Sequence, residues 1–277
     1  MAAKKFTVQS FKDAKARGER ISMLTAYDYT TAALLDQSGV DCLLVGDSLG
    51  MVMLGYENTL PVTMDEMIHH TRAVARGAKK ALIIGDMPFL SYHVTTQEAV
   101  RNAGRFVQEG GAHAIKLEGG ANIIEKIRAI IKARIPVIGH LGLTPQSVNA
   151  MGGFKLQGKD LDTARQIVDD ALLVQDAGAF GLVLECVPEG LARLITEKLD
   201  IPTIGIGAGA WCDGQVLVIQ DLLGLFGKLR PKFVKTYTPG GETTVEAVKT
   251  YIQEVRGGVF PGPEHSFSMD EDVLAKI

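Results

Sequence analysis

Four short apolar runs in this sequence each end on an acidic residue, and this recurrence constrains the fold more than any other feature. The runs are residues 42–47 (CLLVGD), 81–86 (ALIIGD), 114–118 (AIKLE) and 181–185 (GLVLE). An apolar run without a polar face is typical of a strand covered on both sides, as in a parallel sheet. Burying a carboxylate is costly unless it is paired or bound to a cation, so four such acids indicate a metal or proton-transfer site. For any single acid, capping the next helix or facing solvent is the alternative.

Further apolar segments complete a set of eight predicted strands, with helical stretches between and after them. The remaining strands are predicted at residues 21–28, 135–140, 201–207 and 233–237. A short amphipathic helix over residues 7–15 is predicted to plug the barrel, a last helix covers about residues 243–255, and a tail follows from residue 257. This alternation matches a (β/α)₈ TIM barrel in the α/β class, forming a single catalytic domain over residues 1–277. A doubly wound open sheet is the alternative, but its glycine fingerprint after the first strand is absent.

Composition excludes several classes of function. The chain has 277 residues, a formal net charge of -3 and no basic cluster, which argues against nucleic-acid or membrane-surface binding. No apolar run is long enough to span a membrane. The three cysteines, Cys42, Cys186 and Cys212, are odd in number and far apart, which fits a reducing cytoplasm rather than a disulfide framework. Each is predicted to be a small core residue.

Strand periodicity predicts which side chains face the inside of the barrel, because residues of one parity share a face. In the second strand this places Leu43 and Val45 inward if Asp47 is inward. In the third strand Ile84 accompanies Asp86. The same rule places Lys116 and Glu118 of the fourth strand on the inner side, together with Glu185 of the sixth strand. The acids are therefore predicted to converge inside the barrel.

The converging side chains predict an oxygen-ligand cation site. Asp47, Asp86 and Glu118 are hard ligands, which suit Mg²⁺ or a similar oxygen-seeking cation better than Zn²⁺. Lys116 either binds a substrate carboxylate or forms a Schiff base, and the neighbouring acids favour the charged form and hence the first role. His140, at the end of the fifth predicted strand, either lines the site or bonds to backbone.

These groups indicate a class of reaction. A cation with open positions would chelate a 2-oxo acid through its carboxylate and keto oxygens and stabilise the enolate formed when the α-proton is lost. Glu185, on a separate strand, is the candidate base. The chemistry implied is metal-assisted proton abstraction next to a carbonyl, followed by formation or cleavage of a carbon-carbon bond.

Motifs along nearly the whole chain resemble those of the ketopantoate hydroxymethyltransferase family. They are residues 23–28 (MLTAYD), 45–50 (VGDSLG), 85–89 (GDMPF), 114–119 (AIKLEG), 139–146 (GHLGLTPQ), 184–188 (LECVP), 203–209 (TIGIGAG) and 260–265 (FPGPEH). The sequence departs from the family pattern at residues 90–93 (LSYH), and at Gln220, where a histidine is frequent. Neither departure touches the acids.

The resemblance implies an activity and a setting. The family transfers a hydroxymethyl group from 5,10-methylenetetrahydrofolate to 3-methyl-2-oxobutanoate, giving 2-dehydropantoate for pantothenate and coenzyme A synthesis. By similarity, Glu185 accepts the proton. The family also implies a cytoplasmic homo-oligomer, commonly a decamer, with only small-molecule substrates as further partners.

The resemblance also assigns the other site residues. By similarity, Asp47 and Asp86 hold one Mg²⁺ per subunit, with Glu118 in or next to its coordination shell. Asp47, Ser48, Asp86 and Lys116 are expected to bind the oxo acid.

Two other functions are compatible with such a barrel. A related metal barrel of the phosphoenolpyruvate mutase and isocitrate lyase kind would act on other oxo acids. It would be favoured by a catalytic cysteine in a Lys-Cys-Gly-type loop, which this sequence lacks. A non-catalytic binding barrel would bind no metal, and its four acids would be dispensable.

Overall fold

Eight parallel strands close into a barrel in this computed structural model, which describes residues 5–227 and 231–277. The strands are β1 (Ile21–Thr25), β2 (Cys42–Val45), β3 (Leu82–Asp86), β4 (Ala114–Glu118), β5 (Val137–Gly142), β6 (Gly181–Glu185), β7 (Thr203–Ile206) and β8 (Gly214–Leu217). Each strand pairs with the next one in sequence, and β8 pairs with β1. The predicted (β/α)₈ barrel is confirmed.

The helices follow the strands along the chain. They are α1 (Val8–Arg17), α2 (Tyr29–Gln37), α3 (Leu49–Val52), α4 (Met64–Gly77), α5 (Thr96–Gln108), α6 (Ile124–Lys132), α7 (Val148–Met151), α8 (Leu161–Asp176), α9 (Glu189–Lys198), α10 (Ile219–Leu222), α11 (Gly240–Gly257) and α12 (Glu271–Leu274). Short 3-10 helices lie at Ala121–Ile123, Pro145–Ser147 and Pro263–His265. No helix in the described ranges is long and apolar enough to cross a membrane.

The chain divides into two compact units. The larger comprises the described residues up to Ile219 together with Pro231–Val234, and it contains the whole barrel. The smaller comprises the described residues of Gln220–Arg230 and Lys235–Ile277, including α11 and α12. That the entire chain forms one domain stays a prediction.

The barrel interior is filled by alternate residues of all eight strands, which form one hydrophobic cluster with residues of α1. Phe11 of α1 is fully buried there and packs edge-to-face on Phe180, with ring centroids 5.0 Å apart. Because Phe180 immediately precedes β6, α1 covers the amino-terminal end of the barrel. The carboxyl ends of the strands are therefore left for the functional loops, as is usual in this fold.

The eighth strand was predicted at the wrong place. Residues 233–237 contain no strand, and the connection between β7 and β8 contains no helix, contrary to expectation. Their Phe, Val, Thr and Tyr residues have a high strand propensity, but propensity does not decide which segment closes a barrel. Closure requires close approach of backbones at Gly214, where a Cβ would lie 2.5 Å from the carbonyl oxygen of Ile21 and 2.6 Å from the Ile204 side chain. Glycine therefore fits this position in β8.

The predicted inner face of β2 was also wrong. The interior cluster contains Cys42 and Leu44, so alternation places Leu43 and Val45 on the opposite face, toward the helices. Asp47 lies beyond the last residue of β2, in the turn that follows, so strand parity does not govern its direction. Parity was correct for β3, β4 and β6, whose acids belong to the strands themselves.

Candidate active site

The predicted acids gather at the carboxyl end of the barrel. Asp86, Glu118 and Glu185 are the last residues of β3, β4 and β6, and Asp47 follows β2. Asp47, Asp86 and Glu118 are buried, and one candidate ligand atom from each lies within 4.8 Å of the others. We call these three buried carboxylates, Asp47, Asp86 and Glu118, the acidic cluster.

Lys116 is the cation beside the acidic cluster. Its Nζ lies 2.8 Å from Asp86 Oδ1 and 3.5 Å from Glu118 Oε1. Burial lowers the pKa of Lys116, but the surrounding carboxylates raise it more, so the net pKa lies above its usual value. A protonated ammonium is not a nucleophile, so the electrostatic role is favoured over the Schiff base.

The donor chemistry of the acidic cluster fits a divalent cation. The pKa of Asp47 is raised well above its ordinary value by burial and by the charges of Asp86 and Glu118. Burial also raises the pKa of Asp86, although Lys116 opposes this. The three carboxylates outnumber the cationic groups beside them, Lys116 and His140, and a divalent cation would offset the excess of negative charge. Oxygen-only ligands are those that Mg²⁺ prefers.

His140 connects the acidic cluster to Glu185. It pairs with Glu118 across β4 and β5, and its Nδ1 lies 3.1 Å from Lys116 Nζ and 3.4 Å from Glu118 Oε1. On the other side of the ring, Nε2 lies 3.2 Å from Glu185 Oε2. The side chain of Glu185 is 17% exposed, whereas that of Glu118 is 2% exposed, so Glu185 is the acid nearest to solvent. His140 therefore contacts the acidic cluster and Glu185 through its side chain, and its role in a substrate pocket stays a prediction.

The buried charges of this network shift each other's pKa values. Burial and Lys116 lower the pKa of His140, but the adjacent carboxylates of Glu118 and Glu185 raise it to about 9. Burial would raise the pKa of Glu118, yet Lys116, His140 and the backbone amide of Gln146 hold it below its usual value. The carboxylate of Glu118 is therefore kept ionised.

Ser48 lies next to the acidic cluster at the half-buried start of α3. Its hydroxyl shares a hydrogen bond of 2.9 Å with the hydroxyl of Tyr27, which is almost fully buried. Tyr27 follows β1, so this bond joins the loops after β1 and β2.

Two residues that sequence reasoning did not assign also belong to the site. Gln146 and Tyr92 lie in the segments after β5 and β3, and both are buried. The side chain of Gln146 bonds to Asp47 and that of Tyr92 to Gln146. Two signals in the sequence point to these residues. Both segments follow strands at the end of the barrel where the acids lie, and Gln146 belongs to a motif that resembles the family's.

Two of the three cysteines are core residues as predicted, Cys186 is not, and none is an activated nucleophile. Cys42 and Cys212 are buried, Cys186 is half-buried, and all three thiols are free. Burial and the charge of Glu185 raise the pKa of Cys186 to about 12, and burial raises those of Cys42 and Cys212. Because the thiolate is the reactive form, none of these thiols is activated.

The fold and the site together define a (β/α)₈ barrel whose strands carry a buried acidic cluster, suited to a metal ion, at their carboxyl ends. The model of one family, ketopantoate hydroxymethyltransferase, matches residues 5–263. A relative from Clostridium novyi (strain NT) with the name 3-methyl-2-oxobutanoate hydroxymethyltransferase is 59% identical, covering 99% of each chain. A relative of the same name from Acetivibrio thermocellus is 60% identical over 99% of this chain and 96% of its own. The chain belongs to the ketopantoate hydroxymethyltransferase family, a family of transferase enzymes.

Solved structures with a similar fold have much less similar sequences. Phosphonopyruvate hydrolase in complex with oxalate and Mg²⁺ has a TM-score of 0.61 at 13% identity, covering 93% of this chain and 92% of its own. The 2,3-dimethylmalate lyase, a PEP mutase/isocitrate lyase superfamily member, has a TM-score of 0.59 at 15% identity, covering 97% and 90%. These similarities concern the fold alone.

Proposed function

We propose that the protein transfers a hydroxymethyl group from 5,10-methylenetetrahydrofolate to 3-methyl-2-oxobutanoate, giving 2-dehydropantoate for pantothenate and coenzyme A synthesis. The observation that carries the proposal is the acidic cluster with Glu185 beside it, joined through His140, in a chain 59% identical to a relative with this name. The new carbon-carbon bond replaces the C3–H bond of the oxo acid. Water supplies the hydroxyl oxygen, and tetrahydrofolate is the second product.

One Mg²⁺ per subunit would be held by Asp47, Asp86 and Glu118, whose carboxylates supply only oxygen ligands. When bound, Mg²⁺ stabilises negative charge that develops on the keto oxygen of the substrate. Lys116 places a second positive charge at the same end of the barrel, and we assign it to the substrate carboxylate. Asp47 and Asp86 then contact the oxo acid together with the hydroxyl of Ser48.

Glu185 is the group that we assign to remove the C3 proton. It is the acid of the site with the most solvent exposure, so a substrate entering from the loops reaches it directly. The imidazole of His140 lies against the Glu185 carboxylate and orients it. Because His140 also contacts Glu118, the position of the base is tied to that of the acidic cluster.

Proton exchange tests the first half of this reaction without the folate. The C3 proton of 3-methyl-2-oxobutanoate would be followed by NMR in D₂O with Mg²⁺, with EDTA, and with Glu185→Gln. We expect exchange with Mg²⁺, loss of exchange on chelation, and a decrease of roughly 10²–10⁴-fold in the variant, as for removal of a general base. Glu197→Gln, at an exposed ion pair on α9, is the matched control and should exchange at the wild-type rate.

Absence of metal-dependent exchange, with and without tetrahydrofolate, would contradict the proposal. Turnover of phosphonopyruvate or 2,3-dimethylmalate by the same sample would instead support the second candidate, an oxo-acid lyase or mutase. The fold shared with phosphonopyruvate hydrolase and 2,3-dimethylmalate lyase is the observation that favours this candidate.

We also infer a cytoplasmic homo-oligomer, with the decamer as the assembly implied by the family resemblance. Helix α11 supports self-association, because it carries a stripe of exposed apolar residues at helical spacing. These are Val245, Val248, Tyr251, Ile252 and Val255, which are 38% to 54% exposed. Sedimentation velocity of wild type and of Val248→Glu tests the inference, with Thr250→Glu as the control on the same helix. A monomeric wild type would contradict it.

A further inference from the structure

A single buried glutamine bonds to two of the three carboxylates of the acidic cluster. Gln146 lies in the 3-10 helix Pro145–Ser147 and is 5% exposed. Its side-chain Nε2 donates to Asp47 Oδ2 at 2.9 Å, and its backbone N–H donates to Glu118 Oε2 at 3.0 Å. One residue from the segment after β5 thus binds carboxylates from the segments after β2 and at the end of β4.

The orientation of the Gln146 amide is determined by its neighbours. The hydroxyl of Tyr92 donates to Gln146 Oε1 at 2.8 Å, so the amide oxygen is the acceptor on that side. The two hydrogens of Nε2 are then directed to Asp47 Oδ2 and to the carbonyl oxygen of Met87, both at 2.9 Å. A flipped amide would place its oxygen against these two acceptors, which is unfavourable in a buried site.

Tyr92 is itself held in place by the strand that carries Glu118. Its side chain is fully buried, and its hydroxyl accepts a hydrogen bond of 3.2 Å from the backbone N–H of Glu118. The hydroxyl has one hydrogen to donate. Its distance to Gln146 Oε1 is 2.8 Å and its distance to the carbonyl oxygen of Glu118 is 3.2 Å, so the hydrogen is assigned to Gln146. The backbone N–H of Glu118, the hydroxyl of Tyr92 and the amide of Gln146 therefore form one chain of hydrogen bonds, in which each group donates to the next. The chain ends on the Asp47 carboxylate.

These contacts matter because the acidic cluster is repulsive. The three buried carboxylates repel one another, and Lys116, His140 and neutral hydrogen-bond donors hold them in place before a cation binds. Gln146 is a neutral donor that fixes one oxygen of Asp47 and one of Glu118, and it leaves the second oxygen of each carboxylate for other partners. Groups that orient metal ligands in this way typically contribute 10- to 100-fold to metal affinity.

We propose that Gln146, with its amide oriented by Tyr92, is a positioning residue that sets the affinity of the acidic cluster for a divalent cation. The inference rests on the proposed function, which assigns Asp47, Asp86 and Glu118 to a cation. It adds a role for two residues that contact none of the reacting atoms in that proposal. Their contribution acts through the geometry of the carboxylates.

Direct titration of the metal-free protein with Mg²⁺ by calorimetry tests the inference without measuring activity. Gln146→Ala is expected to raise the Kd for Mg²⁺ by about 10- to 100-fold. Tyr92→Phe keeps the ring and removes the hydroxyl, and about a two- to tenfold increase is expected, the equivalent of one neutral hydrogen bond. In the double variant, Tyr92→Phe should add little to Gln146→Ala, because the hydroxyl acts through the amide.

Gln175→Ala is the matched control. Its Oε1 accepts hydrogen bonds from the backbone N–H groups of Asp200 and Ile201, far in the fold from the acidic cluster. It should lower the melting temperature and leave the Kd for Mg²⁺ unchanged, which separates positioning from general destabilisation.

The possible outcomes distinguish the inference from the function on which it rests. Wild-type affinity in both folded variants, Gln146→Ala and Tyr92→Phe, would overturn the positioning role and leave the proposed function intact. If Gln146→Ala does not fold, wild-type affinity in Tyr92→Phe alone overturns the oriented-amide proposal. A wild type that does not bind Mg²⁺ would overturn the proposed metal site itself.

Discussion

His140 Nε2 lies 3.2 Å from Glu185 Oε2, while the opposite nitrogen of the same ring lies 3.1 Å from Lys116 Nζ. The imidazole therefore separates the positive side chain of the site from the acid that we assign as the base. Without this ring, the Glu185 carboxylate would lose the buried neighbour that contacts it.

Replacing His140 by Asn is expected to slow C3 proton exchange by about 10- to 100-fold, because Asn cannot reach Glu185 and the base loses its orientation. NMR exchange at saturating Mg²⁺ measures the effect. His113→Asn is the matched control, since the Nδ1 of His113 bonds the backbone of Ile83 at the amino-terminal side of the barrel. Equal exchange rates in His140→Asn and wild type would contradict the orienting role.

Asp47→Asn should stabilise the metal-free protein and abolish its response to Mg²⁺. The folded-state pKa of Asp47 is raised above that of the unfolded chain, so the ionised carboxylate destabilises the fold at neutral pH and a neutral amide does not. We expect a melting temperature higher by about 2–4 °C for each kcal/mol gained. In wild type, added Mg²⁺ should raise the melting temperature by mass action.

Asp41→Asn, which changes an acid immediately before β2, is the control for this experiment and should keep the Mg²⁺ response. A metal-free Asp47→Asn protein that melts below wild type would show that repulsion in the acidic cluster is not the dominant effect.

Gly142→Ala is expected to displace Glu185. Gly142 has φ of 94° at the end of β5, and a Cβ there would clash with the carbonyl oxygen of Glu185 and lie 2.6 Å from the Val187 side chain. The same carbonyl accepts the hydrogen bond from Leu143 that joins the ends of β5 and β6, at 2.8 Å. We expect C3 exchange to fall more than about tenfold and unfolding to become easier by roughly 1–3 kcal/mol.

Gly153→Ala provides the matched control, because Gly153 also has a positive φ, 112°, but a Cβ there meets no atom within 4 Å. Gly153→Ala therefore introduces the same kind of backbone strain as Gly142→Ala, but its Cβ does not clash with a neighbouring atom. If the two variants lose the same amount of exchange activity, the effect does not come from displacement of Glu185.

Asp36→Asn should destabilise the protein at neutral pH and have a much smaller effect in acid. Asp36 Oδ1 accepts hydrogen bonds from the backbone N–H groups of Lys80 and Ala81, both at 2.8 Å. Burial raises the pKa of Asp36, but these bonds lower it more, so its folded-state pKa lies below that of the unfolded chain. The contribution of Asp36 to the free energy of unfolding is therefore present above about pH 4, and it is lost as the pH falls through the folded-state pKa.

Urea unfolding at neutral pH is expected to show a loss of about 1.5–3 kcal/mol for Asp36→Asn, the range for hydrogen bonds to a charged group. Asp65→Asn, which removes an exposed ion pair with Arg105, should change stability by less than about 1 kcal/mol. A loss at Asp36 that does not shrink in acid would show that the carboxylate charge is not responsible.

Much of the candidate site could be predicted from the sequence because strand burial and period-two alternation are local properties. Asp86, Glu118 and Glu185 end strands whose other residues, apart from Lys116, are apolar or glycine, and each acid lies at the end of its strand as predicted. Lys116 faces the same side as Glu118 because the two residues are two positions apart in one strand. For these residues, the position within a strand determines where the side chain lies.

Only the tertiary structure decided the rest. The direction of Asp47 depends on a turn beyond β2, and the identity of β8 depends on how closely Gly214 approaches Ile21 when the barrel closes. Gln146 reaches Asp47, 99 residues away in sequence, because the segment after β5 folds over the ends of distant strands. The sequence by itself determined which strands carry the acids, since burial selects apolar runs. The structure decided which polar groups meet, since such contacts between distant segments leave no pattern in the chain.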